Sequence, residues 1–493
     1  MVLPPIHPRE NTMSITGAMN AAITGLRTAA RGSEIVSTNI ANALTPNYGR
    51  RGLELSPLNY GASGGVRIDA ITRQMNEGVV ADRRLANAAQ QNTQTAVNFF
   101  RQLENVTGIP GDAEGLSGRL AAFEESLITA ASRPDMVERL ADSVRSAGRL
   151  IEGLGRASQE VQDMRTAADG AIAQDVSTLN TALQQIERLN IDMVSTVSRT
   201  GGQSPALLDQ RQAVLETIGA IVPINVVPRD NGAIAIYTEG GAILVDITAA
   251  DIGFEPRNLV TEFQTLDAGT LSGLTLNGQD LRLSAMSGGS LGGNFAVRDT
   301  YGVNAQTQLD ALARDLVERF SDPGLDATRA AGDTGLFTDA GAAFDPLNEV
   351  GLSGRLAIND AVDPSSGGEI WRLRDGLGAA APGPAGEAGL LNDMLGALET
   401  NRMPASGIFG PGAQSAANLI SIFDGLLAST RTGAEQDMTF TAARLNELTQ
   451  LQLSDGVDTD QELQNLLILE QAYAANARVI QAADEMLEIV TRL

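Results

Sequence analysis

Few side chains in this sequence are suited to catalysis. The single histidine, His7, lies among three prolines within the first twelve residues, so a Ser-His-Asp triad would require this segment to fold back onto a core. The chain contains no cysteine and no lysine, which excludes thiol nucleophiles, Schiff-base lysines and the lysine of phosphate-binding loops. We therefore predict a protein that is not an enzyme and uses no cofactor.

Two acidic groups remain as candidates for chemistry. Glu124 and Glu125 could hydrolyse a glycosidic bond only if their carboxyl groups flanked it, but adjacent residues of a helix point in different directions. The run from Asp455 to Asp460 contains three aspartates, but a calcium-binding EF-hand loop does not tolerate Gly456 in second place and needs a glutamate in twelfth place, which is absent. We interpret the first group as a solvated helix face and the second as a loop with a helix cap, so no catalytic or metal site is predicted.

The charge of the chain limits its partners. The sequence has 60 acidic and 35 basic residues, a net charge of −25. A negative field of this size repels phosphate backbones and anionic lipid, which argues against binding to nucleic acid or to a membrane surface. The sequence also lacks a run of about 18 apolar residues, so we predict no membrane insertion.

Because no site stands out, the helical segments carry most of the information, and the first lies near the N-terminus. We expect residues 1–12 to be a disordered tail and Met13 to open the helical sequence. The helix should end near Pro46, within a predicted N-terminal segment of residues 13–50. Its apolar and small residues alternate at spacings of four and three, as in a coiled coil: Met19, Ile23, Leu26, Ala30, Ser33, Ser37 and Ile40.

The middle of the chain divides into a helical part and a β-rich part. Residues 51–220 read as a loop with short strands followed by helices, the longest running from about 135 to 197, where several glycines predict an interruption. Residues 221–400 read as a β-rich insert with a helix near 301–320, because short apolar runs alternate with turn signals. Strands are predicted within IVPINVVPRDNGAIAIYTEGGAILVDI, with Asp230-Asn231-Gly232 as a turn between them, and the β-rich pattern continues through TLSGLTLNGQDLRLS and LGGNFAVR.

Helical periodicity returns in residues 401–454, breaks at Ser454-Asp455-Gly456, and resumes in a C-terminal segment of residues 455–493. Asp458 or Thr459 is expected to cap this last helix. Its first heptad row is Leu466, Tyr473, Ile480 and Leu487, beside a second row of Leu469, Asn476, Ala483 and Val490.

The two terminal helices are complementary in charge. Residues 13–51 hold four Arg and one Glu, a net +3, whereas residues 452–493 hold eight acidic residues and two Arg, a net −6. Pairing the helices would bury both apolar rows. We predict that the assembly seam consists of Met19, Ile23, Leu26, Ile40, Leu466, Tyr473, Ile480, Leu487 and Val490. The sequence thus predicts a mainly α fold with a β-rich insert, paired terminal coiled-coil helices and a long helical bundle.

Four stretches of the sequence resemble flagellar proteins. Ala41-Asn42, followed by Thr45-Pro46-Asn47-Tyr48, resembles the Ala-Asn-x-x-Thr-Pro-Gly-Tyr signature of rod, hook and junction proteins, with Asn47 in place of the usual glycine. The string Ser204–Arg211, the turn Gly288–Gly293 and the ending Asp455–Leu493 are similar to the hook-associated family of the hook-filament junction. Residues 321–400 match this family least.

This resemblance implies a structural protein that is secreted through the flagellar type III apparatus and stays in the extracellular flagellum. It implies that the terminal helices line an axial channel, that the β-rich part is an outward-facing domain, and that the chain assembles with itself into a ring. Hook protein would lie on one side, and a second junction protein and the filament on the other. An export chaperone would bind the C-terminal helix, about 458–493, before assembly.

Two alternatives stay open on the sequence alone. Flagellin and hook protein share the terminal helices but not the Ser204–Arg211 string. An extracellular protein that binds or hydrolyses carbohydrate would use the β-rich insert, although Trp371 is the only tryptophan available for an aromatic binding platform.

Overall fold

The computed structural model describes residues 15–45, 48–58 and 64–492, and within them the chain is mainly helical with short antiparallel strands. The helices are α1 (Ile15–Ala41), α2 (Glu77–Thr107), α3 (Leu116–Ser132), α4 (Val137–Thr200), α5 (Pro205–Ile221), α6 (Gly289–Ala296), α7 (Gly302–Ser321), α8 (Leu352–Arg355), α9 (Arg372–Asp375), α10 (Gly389–Glu399), α11 (Ala416–Ser454) and α12 (Thr459–Arg492). The predicted tail of residues 1–12, together with Met13, Pro46 and Asn47, lies outside the described residues. The prediction of a mainly α fold with a β-rich insert is confirmed.

The strands form small sheets with local connections. They are β1 (Arg50–Pro57), β2 (Val66–Gln74), β3 (Ile224–Pro228), β4 (Ile234–Thr238), β5 (Ile243–Val245), β6 (Ile252–Gly253), β7 (Leu274–Leu276), β8 (Gln279–Leu281), β9 (Phe337–Asp339) and β10 (Leu356–Ile358). Their order is β1-β2, β3-β4-β5, β6-β7-β8 and β9-β10, each pair antiparallel. The predicted turn between β3 and β4 is confirmed, because Asn231 and Gly232 have φ of 55° and 80°, which suits asparagine and glycine.

The chain forms two compact units, each built from separated segments. Of the described residues, unit 1 contains those within 1–87, 179–250 and 443–493, and unit 2 contains residues 88–178 and 251–442. The segments predicted as 51–220 and 221–400 each contribute residues to both units. Local periodicity cannot reveal such a division, because it depends on contacts between residues far apart in the sequence.

The core of unit 2 lies between helices and one short strand. Phe123 of α3, Phe320 of α7 and Phe337 of β9 are fully buried, with ring centroids 4.9 to 6.0 Å apart. Edge-to-face and tilted aromatic pairs of this kind add to the stability gained from area burial. Leu391, Met394 and Leu398 of α10 belong to the same cluster.

Two predictions about local structure are wrong. The long helix α4 is continuous from Val137 to Thr200 despite its glycines. Its buried residues, including Leu154 and Val161, recur along one face, so packing outweighs the low helix propensity of glycine.

The segment LGGNFAVR is also helical rather than extended. Leu291 and Phe295 are buried one turn apart in α6, and a Cβ at Gly293 would lie 2.9 Å from Thr95 Cβ, so this glycine permits close approach to α2. Within residues 221–400, α6, α7 and α10 each have eight or more residues, where the sequence predicts one helix.

A buried carboxyl group in unit 2 makes its stability depend on pH. Asp424 of α11 is 5% exposed, its Oδ1 has no hydrogen-bond partner, and burial raises its pKa from 3.8 to about 6 although a hydrogen bond to Ser117 opposes the shift. Because the folded protein binds this proton more tightly than the unfolded chain, the group's stabilising contribution is fully present below pH 4 and is lost as pH rises through 6.

We expect Asp424→Asn to raise the free energy of unfolding of unit 2 at pH 8, by at most about 3 kcal/mol, and to have little effect at pH 4. Urea unfolding at both pH values measures this difference. Asp437→Asn, which changes an exposed carboxylate on the same helix, is the matched control. Equal effects of the two variants at pH 8 would show that Asp424 carries no buried charge.

Candidate assembly site at the paired terminal helices

The first and last helices of the chain pack against each other in unit 1, antiparallel and in close contact. A Cβ added at Gly25 would lie 2.8 Å from the side-chain amide of Asn476, and one at Gly32 would lie 2.8 Å from Leu469. A side chain of α12 therefore packs against each of these two glycines. The residue numbers of each pair add to 501, as an antiparallel register requires.

The contact continues to a fully buried polar residue, Asn39, near the end of α1. Its Nδ2 donates to the backbone oxygen of Arg51 (2.9 Å) and to Glu462 Oε2 (3.3 Å). Its Oδ1 accepts from Tyr48 Oη (2.8 Å) and from the backbone nitrogen of Arg51 (3.0 Å). The amide thus uses its full hydrogen-bonding capacity, and it joins α1, the motif loop, β1 and α12.

Glu462, in the first turn of α12, is 1% exposed and is the acidic partner in this group. Its Oε1 accepts from Arg50 Nε at 2.7 Å and lies 2.7 Å from a second guanidinium nitrogen of the same residue. Arg50 also donates to Gln74 Oε1 of β2 at 2.7 Å. A buried carboxylate requires this pairing and hydrogen bonding, since an unpaired buried charge costs several kcal/mol.

A second acidic residue, Asp209 of α5, holds the β1-β2 hairpin. It accepts from Gly49 N (3.3 Å), Arg51 Nη2 (3.2 Å) and Arg73 Nε (2.7 Å). The Arg51 guanidinium lies 5.1 Å from the centre of the Tyr48 ring. Burial raises the pKa of Tyr48, and the charge of Arg51 opposes this shift.

The motif residues shape the loop that leads to this site. Ala41 is the last residue of α1, Asn42 Nδ2 donates to Thr38 O (2.9 Å), and Thr45 Oγ1 donates to Asn42 Oδ1 (3.2 Å). The hydroxyl of Tyr48 donates a hydrogen bond to Asn39. Pro46 lies outside the described residues. The motif therefore ends the helix and turns the chain toward β1.

The predicted row on α1 lies beside the helix contact. Met19, Ile23, Leu26 and Ile40 are partly buried. Five of the seven buried residues of α1 form a row one position away: Ala22, Ala29, Gly32, Val36 and Asn39. Small side chains allow the two helices to approach closely, which explains why this row packs against α12.

On α12, the second predicted row faces α1. Leu469 and Asn476 contact the glycines of α1, and Ala483 is 1% exposed. Leu466 and Ile480 of the first row are partly buried, whereas Tyr473 and Leu487 of that row are exposed, and so is Val490 at the end of the second row. The role of the first row and Val490, together with Met19, Ile23, Leu26 and Ile40 of α1, as an assembly seam stays a prediction.

Asp458 caps this helix, as predicted for Asp458 or Thr459. Its Oδ1 accepts from the backbone nitrogens of Asp460 (2.9 Å) and Gln461 (3.2 Å). Arg50 and Glu462 belong to the two terminal segments predicted to be opposite in charge.

Asn39, Arg50 and Glu462 were missed by the sequence reasoning. One signal is visible in retrospect: Glu462 continues the heptad row of Leu469, Asn476 and Ala483, where a charge is unexpected. Among the described residues, no group of three His, Cys, Asp or Glu side chains could hold a metal ion. Over the same residues, no helix is long and apolar enough to cross a membrane.

Comparison with known proteins assigns a class to this arrangement. Residues 100–337 match the helical domain of flagellar hook-associated protein FlgK, and residues 454–493 match the C-terminal region of the flagellar basal body rod FlgEFG proteins. The second match spans the whole of α12. The paired terminal helices and these matches define a structural protein of the bacterial flagellum.

Individual relatives narrow the class. Flagellar hook-associated protein 1 of Bacillus subtilis is 22% identical over 96% of this chain and 98% of that protein, and that of Escherichia coli is 25% identical over 97% and 100%. The Salmonella typhimurium protein of the same name is 26% identical over 57% of this chain and 55% of its own length. The chain is thus similar to flagellar hook-associated protein 1 over nearly its full length.

A solved structure, the flagellar hook junction protein FlgK from Burkholderia pseudomallei, is 23% identical with a TM-score of 0.42, covering 52% of this chain and 46% of that one.

Proposed function

We propose that this chain assembles as the first junction layer between the flagellar hook and the filament. It would form a ring with copies of itself, contact hook protein on one side, and contact a second junction protein and the filament on the other. The family supports the junction role, and the exposed apolar surface of α12 supports assembly through the terminal helices.

That apolar surface is the observation that carries the proposal. While Leu469 and Asn476 contact α1, other large apolar residues of α12 remain 39% to 63% exposed: Leu463, Leu467, Ile468, Tyr473, Val479, Met486, Leu487, Ile489 and Val490. Single exposed apolar residues are ordinary, but a helix with so many of them gains stability when neighbouring subunits cover it.

The same surface explains why a chaperone would be needed. Before assembly, the helix of about 458–493 presents apolar side chains that favour aggregation, and a partner with an apolar groove would cover them. We infer that an export chaperone binds here and that the chain leaves the cell through the flagellar type III apparatus. The helix-in-groove mode predicts that residues seven apart, such as Tyr473 and Ile480, are buried by such a partner.

Deleting the gene for this chain in its own organism tests the junction role. We expect hooks of normal length without filaments, with flagellin released into the medium, because the filament would lack its attachment layer. Electron microscopy of the cells and immunoblotting of the medium measure both effects, and a plasmid copy of the gene should restore filaments. Full-length filaments in the deletion strain would contradict the proposed function.

A further inference from the structure

The glycines that bring α1 and α12 together do not by themselves determine how the helices are aligned. Gly25 and Gly32 are seven residues apart and receive Asn476 and Leu469, which are also seven apart. If α12 shifted by one heptad, Leu469 would lie opposite Gly25 instead of Gly32. Both positions lack a side chain, so helix packing offers little preference between these alignments.

The buried polar group at one end of the contact does distinguish the alignments. Asn39 and Glu462 are 0% and 1% exposed, and they are bonded to each other. A shift in one direction would place Leu469 opposite Asn39. A shift in the other would place Glu462 opposite Gly32, away from the Asn39 amide and Arg50. In both cases Glu462 would lose its hydrogen bonds, which is costly for a buried carboxylate.

We propose that Asn39 and Glu462 act as a register lock, setting the alignment of the two terminal helices to a single heptad. A single buried polar residue in an otherwise permissive seam is an established means of fixing register. Two further features support the lock. Both the nitrogen and the oxygen of the Asn39 side-chain amide are hydrogen-bonded to the backbone of β1. Asn39 therefore cannot move along with α12 if that helix shifts. Arg50 is bonded to Gln74 of β2, so its guanidinium is also fixed.

The lock positions residues for assembly without contacting another subunit. A one-heptad shift moves every side chain of α12 by about 10 Å along the helix axis, and with it any surface presented to a neighbour. This inference concerns pairing within one chain and does not depend on the junction role.

Disulfide trapping tests the lock in the full-length protein, because the chain has no cysteine of its own. Ala29→Cys with Ala472→Cys reports the observed alignment, since these numbers also add to 501. Ala29→Cys with Val479→Cys, or with Asn465→Cys, reports a shift of one heptad in either direction. We expect the first pair to oxidise at least about tenfold faster than the shifted pairs, because cysteines displaced by a heptad lie beyond disulfide range.

The lock itself is tested by changing its two polar residues together. The double variant Asn39→Leu and Glu462→Leu leaves an apolar seam that still pairs, and we expect one of the shifted disulfides to approach the rate of the first. Leu469→Ala is the matched control, because it removes apolar contact between the helices but leaves Asn39 and Glu462 in place. It should slow disulfide formation while keeping the preference for the observed alignment.

Three results would overturn the proposal. One is a wild-type background in which the observed and shifted pairs oxidise equally fast. Another is a double variant that keeps the wild-type ratio between them, or slows all pairs without changing that ratio. The third is a Leu469→Ala variant that loses the preference as completely as the double variant does.

Discussion

Cells whose chain carries Tyr473→Asp and Ile480→Asp are expected to bear hooks without filaments. The two residues are one heptad apart on α12, and Tyr473 is 45% exposed in the single chain. If neighbouring subunits cover this surface, each aspartate must lose its water without gaining a partner, at a cost of several kcal/mol per site. The loss, repeated in every subunit of a ring, should abolish attachment.

The matched control is Tyr473→Phe with Ile480→Val, which keeps both positions apolar and should leave filaments intact. Electron microscopy counts filaments per cell, and immunoblotting of the medium shows whether each variant is exported. Unit 2 should be unaffected, because both residues belong to unit 1. Cells that carry the aspartate variant and still bear full filaments would show that these residues are not in the assembly seam.

The second large expected effect is the loss of stability of unit 2 when Arg298 is replaced. Arg298 in unit 2 has a fully buried side chain, with Asp169 Oδ1 at 2.6 Å, Asp299 Oδ2 at 2.8 Å and the backbone oxygen of Ser272 at 2.9 Å. The guanidinium also lies 4.9 Å from the centre of the Phe295 ring. We expect Arg298→Ala to lower the free energy of unfolding of unit 2 by about 3–5 kcal/mol, because Asp169 is left buried without its cation.

An exposed ion pair of the same unit provides the comparison. Arg145 and Asp142 are 60% and 61% exposed, so Arg145→Ala should cost at most about 1 kcal/mol. Urea unfolding followed by circular dichroism measures both variants. If the two substitutions cost the same, the buried group around Arg298 does not stabilise unit 2.

Much of the helical architecture could be predicted from the sequence, because apolar residues at heptad spacing have a direct physical cause. The break at Ser454–Gly456 and the capped helix after it follow from local residue types, and both are present. On α1, however, the spacing of the large apolar residues predicted a contact row containing Met19, Ile23 and Leu26. The closest contact instead uses Gly25 and Gly32, whose value depends on a partner helix that periodicity does not reveal.

The polar part of the site was beyond local reasoning. Asn39 and Glu462 are 423 positions apart. Asn39 lies outside the recognised strings, and Glu462 lies within the long recognised ending Asp455–Leu493, which does not single it out. Tyr48 and Asp209 do lie in recognised strings, but their bonds to Asn39 and to the arginines of the hairpin require the folded chain. Sequence patterns predicted which segments meet, whereas the particular side chains that join them depend on long-range contacts.

The central claim, that this chain forms the layer between hook and filament, is tested most directly by locating it on intact flagella. Antibodies against unit 2, coupled to gold, should label a single band at the hook-filament boundary in electron micrographs of wild-type cells, and no band in the deletion strain. Label spread along the filament would identify a filament protein, and label along the hook would identify a hook protein. Either pattern would contradict the proposed junction role.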